Sequence, residues 1–198
     1  IINFIEKNIK SNLITLDLGC GGDKIKNSIG IDKIKSDTVD VEHNLNNYPY
    51  PFDDNFFELV VCKHSISHIE DFEKTILEIF RILKPGGKLL IIAPHFSSDN
   101  TFTDFTIKHF LGYRSLDYFI NDNNGLSEKY SFYTSIKFSM LDKRIFMYKS
   151  IRNTLIDQIV SVLFLPIDII INFFPRFYEK FLCFIVRANE VAFLMQKK

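Results

Sequence analysis

The chain has 198 residues, 46% of them hydrophobic, and its 24 Lys and Arg residues balance its 24 Asp and Glu residues. This length and apolar content suit a single domain over residues 1–198. The charge balance disfavours a nucleic-acid partner. Cys20, Cys62 and Cys183 lie far apart in the sequence, so neither a disulfide framework nor a metal site is predicted, and a reducing, cytoplasmic setting is expected.

The first half of the chain predicts short strands joined by turns. The periodicity of 1–12 predicts an amphipathic helix, and apolar runs bounded by turn residues predict strands at 13–18, 28–32, 38–45, 56–64 and 88–94. A helix is expected between the last two strands, with Asp71 as its N-cap and its end at Pro85, Gly86 and Gly87. The earlier connections are too short for full crossover helices, so one face of the sheet is expected to lack its usual helices.

The second half predicts an interrupted strand pair. A strand over 135–149 and a last strand over 189–196 are expected to pair antiparallel, separated by a helical insertion at about 150–187. The fold class is therefore α/β, with a mostly parallel sheet and an antiparallel last strand.

The insertion contains the most apolar stretch of the chain. Charged residues and Pro166 interrupt it, so it is not predicted to span a membrane. Two interpretations stay open. Its apolar faces could pack on the sheet or on each other, which is favoured because the stretch carries acids and lacks a basic stripe; alternatively, 154–181 could contact a membrane surface.

The stretch "LDLGCGGDK" places a glycine-rich turn directly after the first predicted strand. Gly19 and Gly21 would let a ligand approach the backbone closely. Asp32 ends the next strand, where a carboxylate can bind a ribose diol. A dinucleotide fingerprint requires a third glycine where Lys24 stands and an acid about 20 residues on, so the spacing argues against NAD. The turn alone is also compatible with a tight strand connection.

Several motifs together carry a more specific resemblance. "LDLGCGGDK", "IGID", "HNLN", "PFDDNFFELVVCKHSISHIED" and "EIFRILKPGGKLLIIAPH" occur in the order and spacing of S-adenosylmethionine-dependent methyltransferases of the Rossmann-like class, over residues 13–95. The segment "PHFSSDNTFTDFTIKHF" is similar to a subgroup of small bacterial methyltransferases associated with polysaccharide biosynthesis. The resemblance implies that S-adenosylmethionine is the cofactor. It also implies methyl transfer, expected as an O-methyl transfer by in-line displacement, to a small-molecule or sugar acceptor.

The resemblance also assigns roles to residues on the cofactor side. The methionine part of the cofactor would lie against the glycine turn and its neighbours: Asp17, Gly19, Cys20, Gly21 and, after the fourth strand, His64. The ribose and adenine would contact Asp32, Lys33, Asn44 and Leu45. Because the turn leaves no room for a normal helix, backbone N–H groups of the turn itself are expected to hold the methionine end.

The acceptor side is less defined by the sequence. His68, His95 and His109 follow strand ends and are candidate bases or substrate contacts. No carboxylate with ligand spacing joins His64 and His68, so no metal site is predicted there. A non-catalytic S-adenosylmethionine-binding module and an NAD(P)-dependent oxidoreductase stay open as alternatives, and the sequence gives no oligomeric state.

Overall fold

The computed structural model describes residues 13–120, 134–147 and 155–198, so the helix predicted over 1–12 lies outside the described residues. The strands are β1 (Thr15–Leu18), β2 (Ile29–Asp32), β3 (Val41–Glu42), β4 (Phe57–Lys63), β5 (Leu83–Pro94), β6 (Phe138–Phe146) and β7 (Glu190–Lys197). The helices are α1 (Phe72–Ile82), α2 (Asn100–Thr103), α3 (Leu155–Phe173) and α4 (Pro175–Phe177), with 3₁₀ turns at Ile66–His68 and Asp117–Phe119 and a π-helical turn at Tyr178–Leu182.

The seven strands form one sheet in the order β3-β2-β1-β4-β5-β7-β6. Strands β1 to β5 are parallel, whereas β7 runs antiparallel to both β5 and β6. The predicted fold class is therefore confirmed. Because the parallel strands share one direction, the segments after β1, β2, β4 and β5 all emerge at the same edge of the sheet.

Two strand boundaries differ from the prediction. Strand β3 has only two residues, because the segment that follows it turns back on itself at Asn44, whose side chain accepts the Asn46 N–H. Strand β5 begins at Leu83, immediately after α1, and includes the Pro-Gly-Gly segment predicted to be a turn. Leu83 pairs with Phe57 of β4, and the register shifts before Lys88 pairs with Leu59. The Pro-Gly-Gly segment is thus an irregularity within a strand.

Helix α1 forms as predicted, with the Asp71 carboxylate accepting the Lys74 N–H at 3.0 Å. Its Ile76, Ile79 and Ile82 are buried in the main core on one face of the sheet. The opposite face has a smaller buried cluster drawn from β4, β5 and β7: Leu59, Val61, Leu90, Ile92, Ala192 and Leu194. Described residues 19–28 and 33–40, which connect the first three strands, contain no helix, as the short spacings predict.

The insertion between β6 and β7 is held against the end of β6 by polar contacts. The Asn172 amide accepts the Ile145 N–H at 2.8 Å and donates to the Ile145 carbonyl at 2.7 Å. The Asp168 carboxylate accepts the Met147 N–H at 2.9 Å. The expected helical insertion is therefore present in its described part, from Leu155 onward.

Most apolar side chains of the insertion are not covered. Ile171, Tyr178 and Cys183 are buried, but Val162, Ile170 and many neighbours are more than 60% exposed. The favoured expectation, that packing covers these apolar faces, is wrong for these side chains. Among the described helices, none is both long and apolar enough to cross a membrane.

Candidate cofactor and acceptor site

The glycine turn after β1 is locked between β2 and the segment after β4. Gly19 has a φ of +75° and donates its N–H to the Ile31 carbonyl at 2.8 Å. A Cβ at Gly19 would lie 2.3 Å from the Ser65 Cβ, and the Ser65 hydroxyl donates to the Leu18 carbonyl. Both the left-handed backbone and the close contact therefore require glycine at this position.

Asp32 holds the other side of the turn. Its two carboxylate oxygens accept the Gly21 N–H at 3.0 Å and the Ile34 N–H at 3.1 Å. Each oxygen keeps a second acceptor position, so the carboxylate can also bind two hydroxyl groups of a diol. A Cβ at Gly21 would meet no heavy atom within 4 Å, which leaves open space beside this carboxylate.

Three N–H groups of the turn are already donated within the protein. Those of Gly19 and Cys20 go to the Ile31 carbonyl, and that of Gly21 goes to Asp32. The expectation that backbone N–H groups of the turn hold the methionine end of a cofactor does not fit these three groups. Their acceptors on β2 close the turn without a helix.

Asp17 has a structural role in the same turn. It is buried, and its carboxylate accepts the Ile25 N–H at 2.8 Å. Burial raises the pKa of Asp17 above its ordinary value, and the hydrogen bond from Ile25 partly opposes this rise. The neighbouring Cys20 is buried as well, and burial raises the pKa of its thiol to about 11. Asp17 thus fixes the exit of the turn.

The candidates for the ribose and adenine contacts other than Asp32 differ in their surroundings. The Leu45 side chain approaches the glycine turn, with its Cδ1 3.5 Å from where a Gly19 Cβ would stand. The Asn44 amide oxygen accepts the Asn46 N–H at 3.0 Å, so it is already used in a local turn. Lys33 is exposed beside Asp32. Leu45 is therefore the candidate of this group with the closest contact to the turn.

His64 pairs with a carboxylate that the sequence analysis missed. It follows β4 with a φ of +62°, and its N–H donates to the Ile92 carbonyl at 2.8 Å. Its Nε2 lies 3.1 Å from Oε1 of Glu190, which is only 3% exposed. A left-handed non-glycine residue is often found at a functional site. The sequence feature that could have identified Glu190 is an acidic residue at the start of a strand that is otherwise apolar.

A cleft of about 620 Å³ opens beside this pair. Its polar lining comes from the segments that follow β4 and β5 and from the start of β7: His64, His68, Asn100, Thr103, Asp104, Asn189 and Glu190. It adjoins the glycine turn, because Ser65, next to His64, contacts Gly19. The cleft therefore lies next to the glycine turn, where the cofactor is predicted to bind.

A second histidine of the cleft is also backed by a carboxylate. The His68 Nδ1 lies 2.9 Å from the Thr106 hydroxyl, which donates to Asp104 at 2.6 Å. Hydrogen bonds from Thr106 lower the pKa of Asp104, so this carboxylate is ionised and only accepts. Since the hydroxyl has a single proton, His68 must donate from Nδ1. Its Nε2 then carries a lone pair.

The other two predicted histidines are not in the cleft. His95 is fully buried: its Nδ1 accepts the Ser97 N–H at 3.2 Å, and its Nε2 lies 3.2 Å from Glu179. His109 donates to the Ile69 carbonyl at 3.0 Å and packs edge-on against Phe72. The structure does not bring their rings to the cleft with His64 and His68, because both rings are committed to protein contacts. His95 connects the segment after β5 to the insertion, and His109 connects it to the segment before α1.

Comparison with known proteins identifies the domain. Residues 23–91 match the family model described as a methyltransferase domain. A structure of an S-adenosylmethionine-dependent methyltransferase from Archaeoglobus fulgidus superposes with a TM-score of 0.58 at 17% identity, covering 99% of this chain and 91% of that one. The chain has the Rossmann-like methyltransferase fold, and residues 23–91 resemble a methyltransferase domain. S-adenosylmethionine is the cofactor named for the superposed Archaeoglobus fulgidus protein.

Curated methyltransferases resemble shorter stretches. The ubiquinone/menaquinone biosynthesis C-methyltransferase UbiE of Haemophilus ducreyi is 33% identical over 75 residues, covering 38% of this chain and 27% of that protein. Phosphoethanolamine N-methyltransferase 2 of Caenorhabditis elegans is 50% identical over 42 residues, covering 21% of this chain and 10% of that protein. The chain thus matches about a quarter or less of the length of these two relatives.

The residues of the methyltransferase domain fit its cofactor. The Asp32 carboxylate retains acceptor positions for the ribose diol, open space lies at Gly21, and Leu45 offers an apolar contact. The family match ends at Ile91, before the segments that carry Asp104, Thr106 and Glu190. The match thus includes His64 and His68 of the cleft but not the carboxylates that contact them.

Proposed function

We propose that the chain transfers a methyl group from S-adenosylmethionine to a small molecule through a hydroxyl group that loses its proton, most simply as O-methylation. S-adenosylmethionine supplies a methyl group already activated on a sulfonium sulfur, so the protein mainly has to position the acceptor and receive its proton. The observation that carries the proposal is the pair of histidines in the cleft, each backed by a carboxylate.

His68 is the proposed general base. Its Nδ1–H is held by Thr106, and its Nε2 lone pair is available to accept a proton. The ionised Asp104 at the end of this chain of hydrogen bonds favours the positive imidazolium that results. Thr106 and Asp104 are then positioning residues.

His64 and Glu190 are proposed to orient the acceptor beside the cofactor. His64 lies between the glycine turn and the cleft, and its contact with the buried Glu190 fixes its ring. Breaking this pair would remove the His64 contact from a carboxylate in a buried position, which is costly. We therefore expect the pair to matter for acceptor binding.

The acceptor class is proposed from chemistry. A phenol or quinol fits the histidine arrangement as well as a sugar hydroxyl does, because both must lose a proton. If the hydroxyl is phenolic, deprotonation would also activate the adjacent ring carbon, the C-methylation named for the UbiE relatives. A glycan acceptor has support only from the sequence resemblance of the segment after β5.

The test combines binding with turnover. Calorimetry is expected to show binding of S-adenosylmethionine and not of NAD; the reverse result would refute the assignment. Incubation with methyl-labelled cofactor and a panel of quinols, phenols, sugars and lipids is then expected to give a methylated product. If the cofactor binds and no panel member is methylated, the non-catalytic binding module is favoured instead.

Substitutions distinguish a base from a structural residue. His68→Gln is expected to lower kcat by roughly 10²-fold or more, the scale of general-base catalysis, while the Kd for the cofactor stays unchanged. His109→Gln is the matched control, because that ring contacts the Ile69 carbonyl and Phe72 and does not line the cleft. Equal effects of the two variants on kcat would contradict the role of His68.

A further inference from the structure

The insertion presents many exposed apolar side chains outside the site described above. We define the insertion surface by six of its most exposed large side chains: Val162, Leu163, Ile170, Phe173, Phe184 and Ile185, which are between 63% and 79% exposed. Further exposed aromatic rings pack together on it, with centroids 4.7 Å apart for Phe173 and Phe174 and 5.1 Å apart for Phe177 and Phe181. Apolar surface of this kind is unusual on a protein that has no partner for it.

The polar contacts of the insertion fix which side faces outward. Asp168 and Asn172 bond to the backbone at the end of β6, and Glu179 accepts the Tyr113 N–H and contacts His95. The Tyr178 hydroxyl donates to the Val186 carbonyl. These contacts all lie on the inner side, so the apolar side chains are held toward solvent by the fold itself.

The same contacts separate the charges of the insertion. Among its described side chains over 159–187, the acids Asp168 and Glu179 are half-buried and engaged with the rest of the domain. The exposed charged side chains of that part are all basic: Arg176, Lys180 and Arg187. The outward side therefore combines apolar groups with positive charge. Asp168 and Glu179, two of the acids that argue from the sequence against a membrane role, are thus directed inward.

We propose that the insertion surface binds the face of an anionic lipid bilayer, with the aromatic and aliphatic side chains entering the headgroup region and the three basic residues contacting lipid phosphates. The described helices of this surface do not cross a membrane, so the insertion lies along the bilayer. A second copy of the chain is a poorer occupant, because a twofold contact would bring the same cations together.

Vesicle flotation tests this proposal independently of methyl transfer. The full chain is mixed with vesicles of phosphatidylcholine alone or of phosphatidylcholine with phosphatidylglycerol. We expect the chain to float with the anionic vesicles at low salt and to be partly released at high salt, since surface charge attraction is screened. A wild-type chain that stays in solution with both vesicle types overturns the proposal.

Point substitutions locate the contact. Phe173→Asp with Ile185→Asp is expected to weaken vesicle binding at least tenfold. Phe102→Asp is the matched control, because Phe102 is 71% exposed outside the insertion and Phe173 is 76% exposed within it; its binding should equal that of the wild type. Equal loss in both variants would overturn the assignment of the surface.

A charge variant keeps the test valid if the apolar variant does not fold. Arg176→Gln, Lys180→Gln and Arg187→Gln together remove only exposed charges, and we expect at least tenfold weaker binding to the anionic vesicles. Unchanged binding would overturn the charge argument. Ultracentrifugation of the wild type provides the remaining check: a dimer that Phe173→Asp converts to a monomer would assign the surface to a second copy.

Discussion

The Asp32 carboxylate accepts the Gly21 N–H at 3.0 Å, which ties the end of β2 to the glycine turn that follows β1. Because the same carboxylate is the proposed ribose ligand, Asp32→Ala is expected to raise the Kd for S-adenosylmethionine at least roughly tenfold, the scale of one charged hydrogen bond. Calorimetry measures this change. An unchanged Kd in a folded variant would refute the ribose assignment.

Gly19 and Gly22 offer a matched pair for the turn itself. Gly19→Ala places a Cβ 2.3 Å from the Ser65 Cβ at a φ of +75°, and we expect a loss of at least about 2 kcal/mol in the free energy of unfolding. Gly22→Ala meets no heavy atom within 4 Å, so a change below about 0.5 kcal/mol is expected. Urea unfolding compares the two; similar losses would contradict the packing argument.

Asp40 is expected to make the free energy of unfolding depend on pH. Its carboxylate accepts the Gly30 N–H at 2.6 Å and pairs with the Lys24 ammonium at 2.7 Å, and these contacts, the Gly30 bond first, lower its pKa below the ordinary value. A lowered folded pKa means that the stabilisation is present above the unfolded pKa of about 3.9 and is lost as the pH falls through the folded pKa.

Asp40→Asn isolates this effect, since other titrating groups are common to both proteins. The variant is expected to be less stable than the wild type near neutral pH, and the difference should shrink once the wild-type carboxyl protonates. Urea unfolding across this range gives both free energies. A difference that stays constant with pH would contradict the assignment to Asp40.

The three cysteines are expected to be unreactive in the folded chain. All three are buried, and burial raises the pKa of Cys20 to about 11, so only roughly a thousandth of this thiol is ionised near pH 8. Ellman's reagent is therefore expected to find no fast thiol in the native protein and three in denaturant. One rapid stoichiometric reaction would show that the turn around Cys20 opens readily.

The parts of the structure that were predictable depend on local chemistry. The Asp71 cap, the strand that ends at Asp32 and the glycine turn each follow from a few adjacent residues. The hydrogen bond from the Asn46 N–H to the Asn44 side chain is equally local. For Asn44, however, the family resemblance predicts a contact with adenine and not this turn.

The parts that were missed depend on contacts between distant segments. Glu190 reaches His64 only because β7 inserts beside β5, and His95 is enclosed because Glu179, 84 residues later, folds back onto it. A residue that follows a strand looks the same in the sequence whether its side chain enters a cleft or is covered by a later segment. Sequence spacing could therefore not separate His68 from His95.

The contact between His95 and Glu179 also limits how this chain can be shortened. Phe146 and Glu190 face each other where the insertion leaves and re-enters the sheet, so a short turn between them would keep every strand register. Such a deletion would nevertheless remove the carboxylate that His95 and the Tyr113 N–H share. The insertion is thus part of the cooperative folding unit, and a minimal version of the domain would need a new acceptor for both groups.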